Sequence, residues 1–267
     1  MHPLPTTEAL KTTPERGARP NLSMAPEPAE FGVPSPRICV IVPAYNEGPS
    51  ITGVVRSVHA SLPDARVLVV DDGSSDDTTE RALAAGATVI TLPINLGIGG
   101  AVQTGYCYAL RNDFDVAMQV DGDGQHDPSE ASLLLDRLQH RSADMVVGSR
   151  WLGRGDYAAP RSRRFGMHLL ARLVHWRTGS TFTDTTSGFR AVGRRGIELF
   201  SRVYPTDFPE VESLIIASGC GLKVEEVGVR MCERSHGRSS IAGMRSAYYM
   251  LRVTTVLVVD RLNRAPT

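Results

Sequence analysis

The chain has 267 residues, is 42% hydrophobic, and balances 29 basic side chains against 29 acidic ones. It can therefore bury a full core, in one large domain or two small ones. It holds no run of 18 apolar residues, hence no candidate for a membrane-spanning helix; its four cysteines (Cys39, Cys107, Cys220, Cys232) form no Cys-x-x-Cys pair, which argues against a zinc or redox motif and for a reducing compartment.

Residues 1–36 hold eight prolines among polar residues and no apolar segment of the signal-peptide kind, which predicts a disordered tail. From Arg37 the pattern becomes regular. Residues 38–42 are continuously apolar, as in a buried parallel strand. The loop Pro43-Ala-Tyr-Asn-Glu47 then leads into a helix expected over 50–60. A second strand over 66–70 ends in Asp71-Asp-Gly-Ser-Ser-Asp76, where Ser75 or Asp76 can cap the next helix. A third strand is expected over 88–92, a helix from Asn95 to about Leu110, a strand over 114–120, a helix from about Pro128 and a fifth strand over 144–148. This alternation predicts a doubly wound, mostly parallel α/β sheet. Farther on, helices are expected over 164–177, 194–202 and 209–218, and a strand over 223–231. An amphipathic helix is expected over 241–264, its apolar positions flanked by Arg245, Arg252, Arg261 and Arg264. The expected organisation is a tail over 1–36, a domain over 37–240 and a helix with its tail over 241–267.

Charge is unevenly spread. Residues 37–149 carry 7 Arg against 15 Asp and Glu, whereas 150–264 carry 18 Arg and one Lys against 10 acids. An acidic half able to hold a metal faces a basic half able to hold phosphates. Arg supplies 27 of the 29 cations, and its planar fork suits phosphate, although codon usage alone can produce such an excess.

Asp121-Gly122-Asp123 follows the apolar segment 114–120 directly and is itself followed by Gly124, Gln125 and His126. Two carboxylates one residue apart at a strand's end can share one hard divalent cation with a diphosphate. Alone, the same pattern is a common solvated turn. In doubly wound sheets, however, ligands sit beyond the carboxyl ends of the strands, where all these polar motifs fall. Gly97, Gly99 and Gly100 either permit a tight turn or let a diphosphate approach a helix N-terminus. They follow the third strand, not the first, which disfavours a dinucleotide-binding dehydrogenase. Tyr45 either packs the sheet edge or meets a ligand; beside the other motifs, Asp72 reads as a ligand contact. His126 reads as a structural histidine, not a base. Arg163 and Arg164 fit a solvated face and an anion site equally well.

The set 42–47, Asp71-Asp-Gly-Ser74, Asn95-x-Gly-x-Gly-Gly100 and Asp121-Gly-Asp-Gly-Gln125 resembles family 2 glycosyltransferases of the GT-A fold. With Gly148-Ser-Arg150, Thr186-Ser-Gly-Phe-Arg190 and the segment 233–240, the chain is most similar to dolichyl-phosphate or polyprenyl-phosphate sugar synthases. The resemblance covers about 37–260. It implies that Pro43, Tyr45 and Glu47 border the nucleotide, that Asp72 accepts hydrogen bonds from the base, and that Asn95 and Gly99 lie near the sugar nucleotide. Asp121 and Asp123, with Gln125 nearby, would hold Mg²⁺ or Mn²⁺ against the diphosphate. Arg150, with one of Arg161, Arg163 or Arg164, would hold an acceptor phosphate. Arg234, His236, Arg238 and Ser239 would fold over the diphosphate, although many such synthases carry Lys or Ser where Arg238 stands. The reaction would invert the anomeric centre.

The expected function is thus transfer of a hexose or hexosamine from a UDP-sugar or GDP-mannose to a polyprenyl phosphate. A phosphate monoester has a second pKa near 6 and is already an oxyanion at neutral pH, so it needs positive charge and no base. The ten arginines of 150–195 meet that need. The alternative is a hydroxyl acceptor in polysaccharide or glycolipid synthesis, which requires a base, with Glu210 and Glu212 as candidates. A catalytically silent sugar-nucleotide-binding subunit is disfavoured by the intact Asp121, Asp123 and Arg150. The helix over 241–264 suggests a peripheral protein on the inner face of the cell membrane, docked on anionic lipid or on a separate integral membrane partner; packing against the domain would explain it as well. No nucleic acid partner is expected.

Overall fold

The computed structural model describes residues 35–140, 143–152 and 161–231 of the chain. The compact unit that carries every described element begins at Pro36. The expectations for the tail before residue 35, for Arg234, His236, Arg238 and Ser239, and for the helix over 241–264 lie outside the described residues.

Among the described residues seven strands form one sheet in the order β3-β2-β1-β4-β6-β5-β7. Strand β1 (Ile38–Ala44) lies between β2 (Arg66–Asp71) and β4 (Val116–Gln119), parallel to both, and β3 (Thr88–Thr91) adds to the outer edge of β2. Residues 39–44 of β1 and 67–71 of β2 are buried throughout. Side chains alternate between the two faces of a strand, so their apolar runs supply two cores at once. Cys39, Ile41, Leu68 and Val70 join one core, Val40, Val42, Val67 and Val69 the other.

The helices cover both faces. On the first lie α3 (Gly97–Arg111), α5 (Arg161–Thr178), α6 (Arg194–Arg202) and α7 (Pro209–Gly219). The second is covered by α1 (Gly48–Ser61), α2 (Thr78–Ala84) and α4 (Ala131–His140). Burial pushes the Cys39 thiol up to about 12, so this cysteine is an inert part of the core.

The sequence reading missed one strand. β6 (Arg190–Gly193) runs antiparallel between β4 and β5 (Met145–Ser149), pairing Gln119 with Arg190 and Val147 with Arg190 across the two ladders. Its four residues open on an arginine and close on a glycine, which hides them from any hydrophobic pattern. β7 (Val224–Gly228) pairs parallel with β5. Because β6 runs the other way, its first residue stands at the edge where β1, β2, β4 and β5 end. The segment 186–189 is thereby brought to the carboxyl ends of the parallel strands, where ligands of such sheets bind.

No helix among the described residues is long and apolar enough to cross a membrane.

Candidate active site

A cavity of about 360 Å³ opens at this edge. The end of β1 and the loop after it contribute Pro43, Ala44, Tyr45 and Glu47; the end of β2 contributes Asp72. Asp121, Gly122, Asp123, Gln125 and His126 come from beyond β4, and Arg150 from the end of β5. Thr186, Ser187 and Gly188 approach from the start of β6, and Glu210 from the first turn of α7.

The loops on the β1 and β2 side are tied by short polar contacts. Asn46, at φ 55, accepts at its side-chain oxygen from the Ser75 amide at 2.8 Å, and its own amide donates to the Ser74 hydroxyl at 2.9 Å. Asp71 accepts from the Ser74 amide at 2.9 Å and from the Thr79 hydroxyl. Asp76 accepts from the Thr78 amide at 3.1 Å, but the residue at the cap position of α2 is Asp77, one place later than the expected Ser75 or Asp76. Tyr45 remains half exposed over the cavity mouth, and Glu47 accepts from the Ser50 hydroxyl at 2.9 Å.

Asp72 lines the cavity, but its two carboxylate oxygens accept from the Leu96 amide at 2.7 Å and the Gly97 amide at 2.8 Å. It therefore caps α3, satisfying amides that a helix N-terminus leaves without partners. Two expected residues are placed differently from the sequence reading. Asn95 accepts from the Gly97 amide at 3.0 Å and is exposed, and Gly99 is buried against the loop at 205–206, where any Cβ would run into the carbonyl oxygen of Pro205. Neither lines the cavity; Ile98 and Ala101 of α3 do. The glycine at 99 answers a packing demand from the loop at 205–206.

The acidic pair is held from below. Gln119 donates from its side-chain nitrogen to the Asp121 carboxylate at 3.1 Å. The Asp121 amide donates to His126 Nδ1 at 3.0 Å, which leaves the proton of a neutral imidazole on Nε2, 3.5 Å from the Asp121 carboxylate. The buried His126 ring stacks on Phe189 with centroids 5.2 Å apart. His126 is thus a positioning histidine, as expected. Asp123 accepts from the Gln125 amide at 2.9 Å. Gly188 crosses so close that a Cβ there would stand 2.8 and 2.9 Å from the two Asp121 oxygens; its lack of a side chain keeps the space above them open.

Would these residues suit a divalent cation? Among the described residues no three acidic, histidine or cysteine side chains assemble into a metal cage. Two carboxylates on one turn, facing an open cavity, are the donor set Mg²⁺ accepts when a substrate phosphate and water complete its shell. The arrangement fits a metal that arrives with its substrate.

The basic side is built on a buried ion pair. Arg150 donates from Nε and Nη2 to Asp184 at 2.6 and 2.7 Å, and from Nη2 to the Thr186 hydroxyl at 2.7 Å. Asp184 is fully buried. The loop carrying it is fixed from β7, where Glu226 accepts from the Thr183 amide at 2.7 Å and the Asp184 amide at 2.9 Å. Burial raises the Glu226 carboxyl above its ordinary value, against the pull of those amides. The sequence reading assigned Asp184 no role, although it is one of two acids in the basic stretch 150–195. Arg161, Arg163 and Arg164 form the first turn of α5, and their side chains lie outside the described residues.

Arg190 stood in the matched segment 186–190 but was likewise assigned no role. It is 1% exposed; Nε donates to the Ser187 carbonyl at 2.7 Å, and its other nitrogens bond the Ser213 hydroxyl and the Glu210 carbonyl. The guanidinium thus joins the start of β6 to the first turns of α7 beneath the cavity. Burial raises the Glu210 carboxyl above its ordinary 4.5, with Arg190 opposing and Asp121 reinforcing the shift. The folded chain therefore keeps a proton that the unfolded chain releases, and stability is lost as pH rises above 4.5. Glu210→Gln removes that loss. Its melting temperature should exceed the parent's at about pH 8 and match it at about pH 4. A variant melting below the parent at both pH values would mean that the carboxylate's attraction to Arg190 outweighs its burial.

A family model described as glycosyl transferase family 2 matches residues 39–198. The chain is 32% identical over 242 residues to the polyprenol monophosphomannose synthase of Mycolicibacterium smegmatis, across 87% of this chain and 91% of that protein. It is 31% identical over 219 residues to the undecaprenyl-phosphate mannosyltransferase of Micrococcus luteus, across 78% and 88%. Among solved structures, it superposes with a TM-score of 0.64 and 21% identity on glucosyl-3-phosphoglycerate synthase from Mycobacterium tuberculosis, crystallised with Mn²⁺, uridine diphosphate and phosphoglyceric acid; the match spans 87% of this chain and 80% of that one. That likeness is one of fold, and the mostly parallel GT-A sheet expected from the sequence is the sheet found. Since the matched span runs from the first strand into α6 and takes in both carboxylates of the acidic pair, the chain belongs to glycosyl transferase family 2.

Proposed function

We propose that this chain transfers a hexose from a nucleotide sugar to a polyprenyl phosphate at a membrane surface, with inversion at the anomeric carbon. The observation that carries the reading is that the acidic pair and Arg150, which Asp184 holds from behind, line one cavity. The two curated relatives, both named as mannosyl transferases to a polyprenyl carrier, support the acceptor class and make mannose the first sugar to test.

In this reading Pro43, Tyr45 and Glu47 border the nucleotide and Asp72 keeps α3 in place beside it. Mg²⁺ or Mn²⁺, held by Asp121 and Asp123 with Gln125 nearby, would neutralise charge on the departing diphosphate. Gln119 and His126 keep the Asp121 carboxylate turned toward the cavity. Arg150, oriented by Asp184, draws in the acceptor phosphate, with one of Arg161, Arg163 or Arg164 as its partner in that role. A phosphate oxygen of the acceptor forms the bond to the anomeric carbon. The bond from that carbon to the diphosphate oxygen breaks, and its electron pair leaves with the nucleoside diphosphate. No proton moves, so no base is required.

A second reading has one observation in its favour. Glu210 lines the cavity with a raised carboxyl, as a base for a hydroxyl acceptor would. The two readings separate in one assay with radiolabelled GDP-mannose or UDP-sugars, purified polyprenyl phosphate, and the matching free polyprenol. The phosphate acceptor should be labelled in a Mn²⁺-dependent reaction that Glu210→Gln leaves within about threefold of the parent, the scale of indirect packing effects. Label on the polyprenol, or a Glu210→Gln enzyme inactive on the phosphate, would sink the first reading.

A further inference from the structure

A second cavity, about 490 Å³, lies beside α5 and shares its inner wall with the first. The wall is the end of β5 and the loop before β6. Arg150 faces the first cavity, and the next residue, Trp151, lines the second. Across from them Asp184 holds Arg150, and the preceding Thr183 lines the second cavity, bonded to the Ser149 hydroxyl at 2.6 Å. An acceptor whose phosphate met Arg150 would thus find the second cavity one residue away on either strand of the wall.

The lining chemistry suits a hydrocarbon chain joined to an anionic head. Met167, Ala171, Phe182 and Trp151 give it apolar walls, and no carboxylate among the described residues lines it. His168, Arg172 and His175 stand one turn apart along α5 in its lining, where the Arg172 guanidinium attracts negative charge. On the adjoining stripe of α5, Leu169 and Trp176 are 43% and 50% exposed, apolar surface left where a lipid would cover it. The volume falls within the roughly 300–1,000 Å³ of ordinary ligand pockets.

We infer that this cavity is a subsite for the proximal isoprene units of the acceptor lipid, which makes the enzyme a reader of the prenyl chain as well as of its phosphate. The inference rests on the acceptor class proposed above and adds where the chain lies and which residues discriminate it.

Trp151 is one of two tryptophans in the chain, so in a Trp176→Phe background its emission reports the cavity's occupant. Farnesyl phosphate should shift that emission to shorter wavelength and saturate, and inorganic phosphate should not. Filling the cavity with Ala171→Phe should abolish the shift and raise the acceptor KM for farnesyl phosphate about tenfold or more, the scale on which apolar pockets discriminate methylenes. The KM for isopentenyl phosphate, which has a single isoprene unit, and the affinity for the nucleotide sugar should stay near the parent values. If Ala171→Phe does not fold, Thr181→Phe narrows the same cavity from its exposed rim and carries the same expectation.

The outcomes distinguish this inference from the reading it rests on. Sugar transfer to farnesyl phosphate that Ala171→Phe and Thr181→Phe leave unchanged overturns the subsite and spares the proposed function. Saturable binding of farnesyl phosphate at Trp151 without sugar transfer to any prenyl phosphate supports the subsite and overturns the proposed function. A Trp151 emission blind to farnesyl phosphate overturns the subsite whatever the activity.

Discussion

Asp123→Asn should lower kcat/KM about a thousandfold while leaving the melting temperature near the parent's. The first expectation follows from losing one of two carboxylates offered to a cation whose charge stabilisation is worth several kcal/mol. The second follows from geometry. Asp123 sits on a turn after β4 and accepts from the Gln125 amide, a bond the Asn carbonyl can take over. Calorimetry should show Mn²⁺-dependent nucleotide binding in the parent and none in the variant. A variant with full turnover, or a parent that works in excess chelator, would remove the metal from this site.

The buried ion pair predicts the second large effect. Asp184→Ala should destabilise the fold by about 3–5 kcal/mol, because it leaves the Arg150 guanidinium, only 15% exposed, without the carboxylate that holds it. Replacing both residues together, Arg150→Met with Asp184→Leu, should recover most of that loss, since an apolar pair need not be desolvated as ions are. Acceptor use should not return with the stability, for the Arg150 guanidinium proposed to meet the phosphate is gone. Urea midpoints measure the first effect and acceptor kinetics the second. An Asp184→Ala protein as stable as the parent would show that the pair contributes nothing to the fold; a double variant with normal acceptor KM would move the phosphate contact elsewhere, to the arginines that open α5.

Much of the scaffold was legible because its signals are local. Val40 and Ile41, Leu68 and Val69 advertise buried parallel strands by their unbroken hydrophobicity, and α6 matches its expected bounds of 194–202. The carboxylates at 121 and 123, the loop at 43–47 and Arg150 were found because strand ends are where such residues gather. What escaped depends on partners far along the chain. Arg190 ends a matched segment but shows no role until Ser213 and the Glu210 carbonyl, 23 and 20 positions later, fold onto it. Gly99 looks like part of a phosphate loop until the chain at 205–206 packs against it. Asp184 looks like an isolated acid in a basic stretch until Arg150, 34 positions earlier, arrives beside it.

The reversed strand β6 has a further consequence, for the order in which the molecule assembles. β1, β2, β3 and β4 are joined to their neighbours within the first half of the chain. β5 cannot reach β4 directly; β6 stands between them, and its contact with β4 closes a loop of about seventy residues, Gln119 to Arg190. Loop closure over such distances is slow compared with local pairing. The side of the cavity built by β1, β2 and β4 should therefore take shape first, and the acidic pair should face water until the Thr186–Arg190 segment docks. Pulse-labelled hydrogen exchange during refolding should protect the amides of Ile41 and Val69 before those of Val146 and Ala191. The Arg150 side of the cavity would then close last, as β6 docks against a β4 that is already paired.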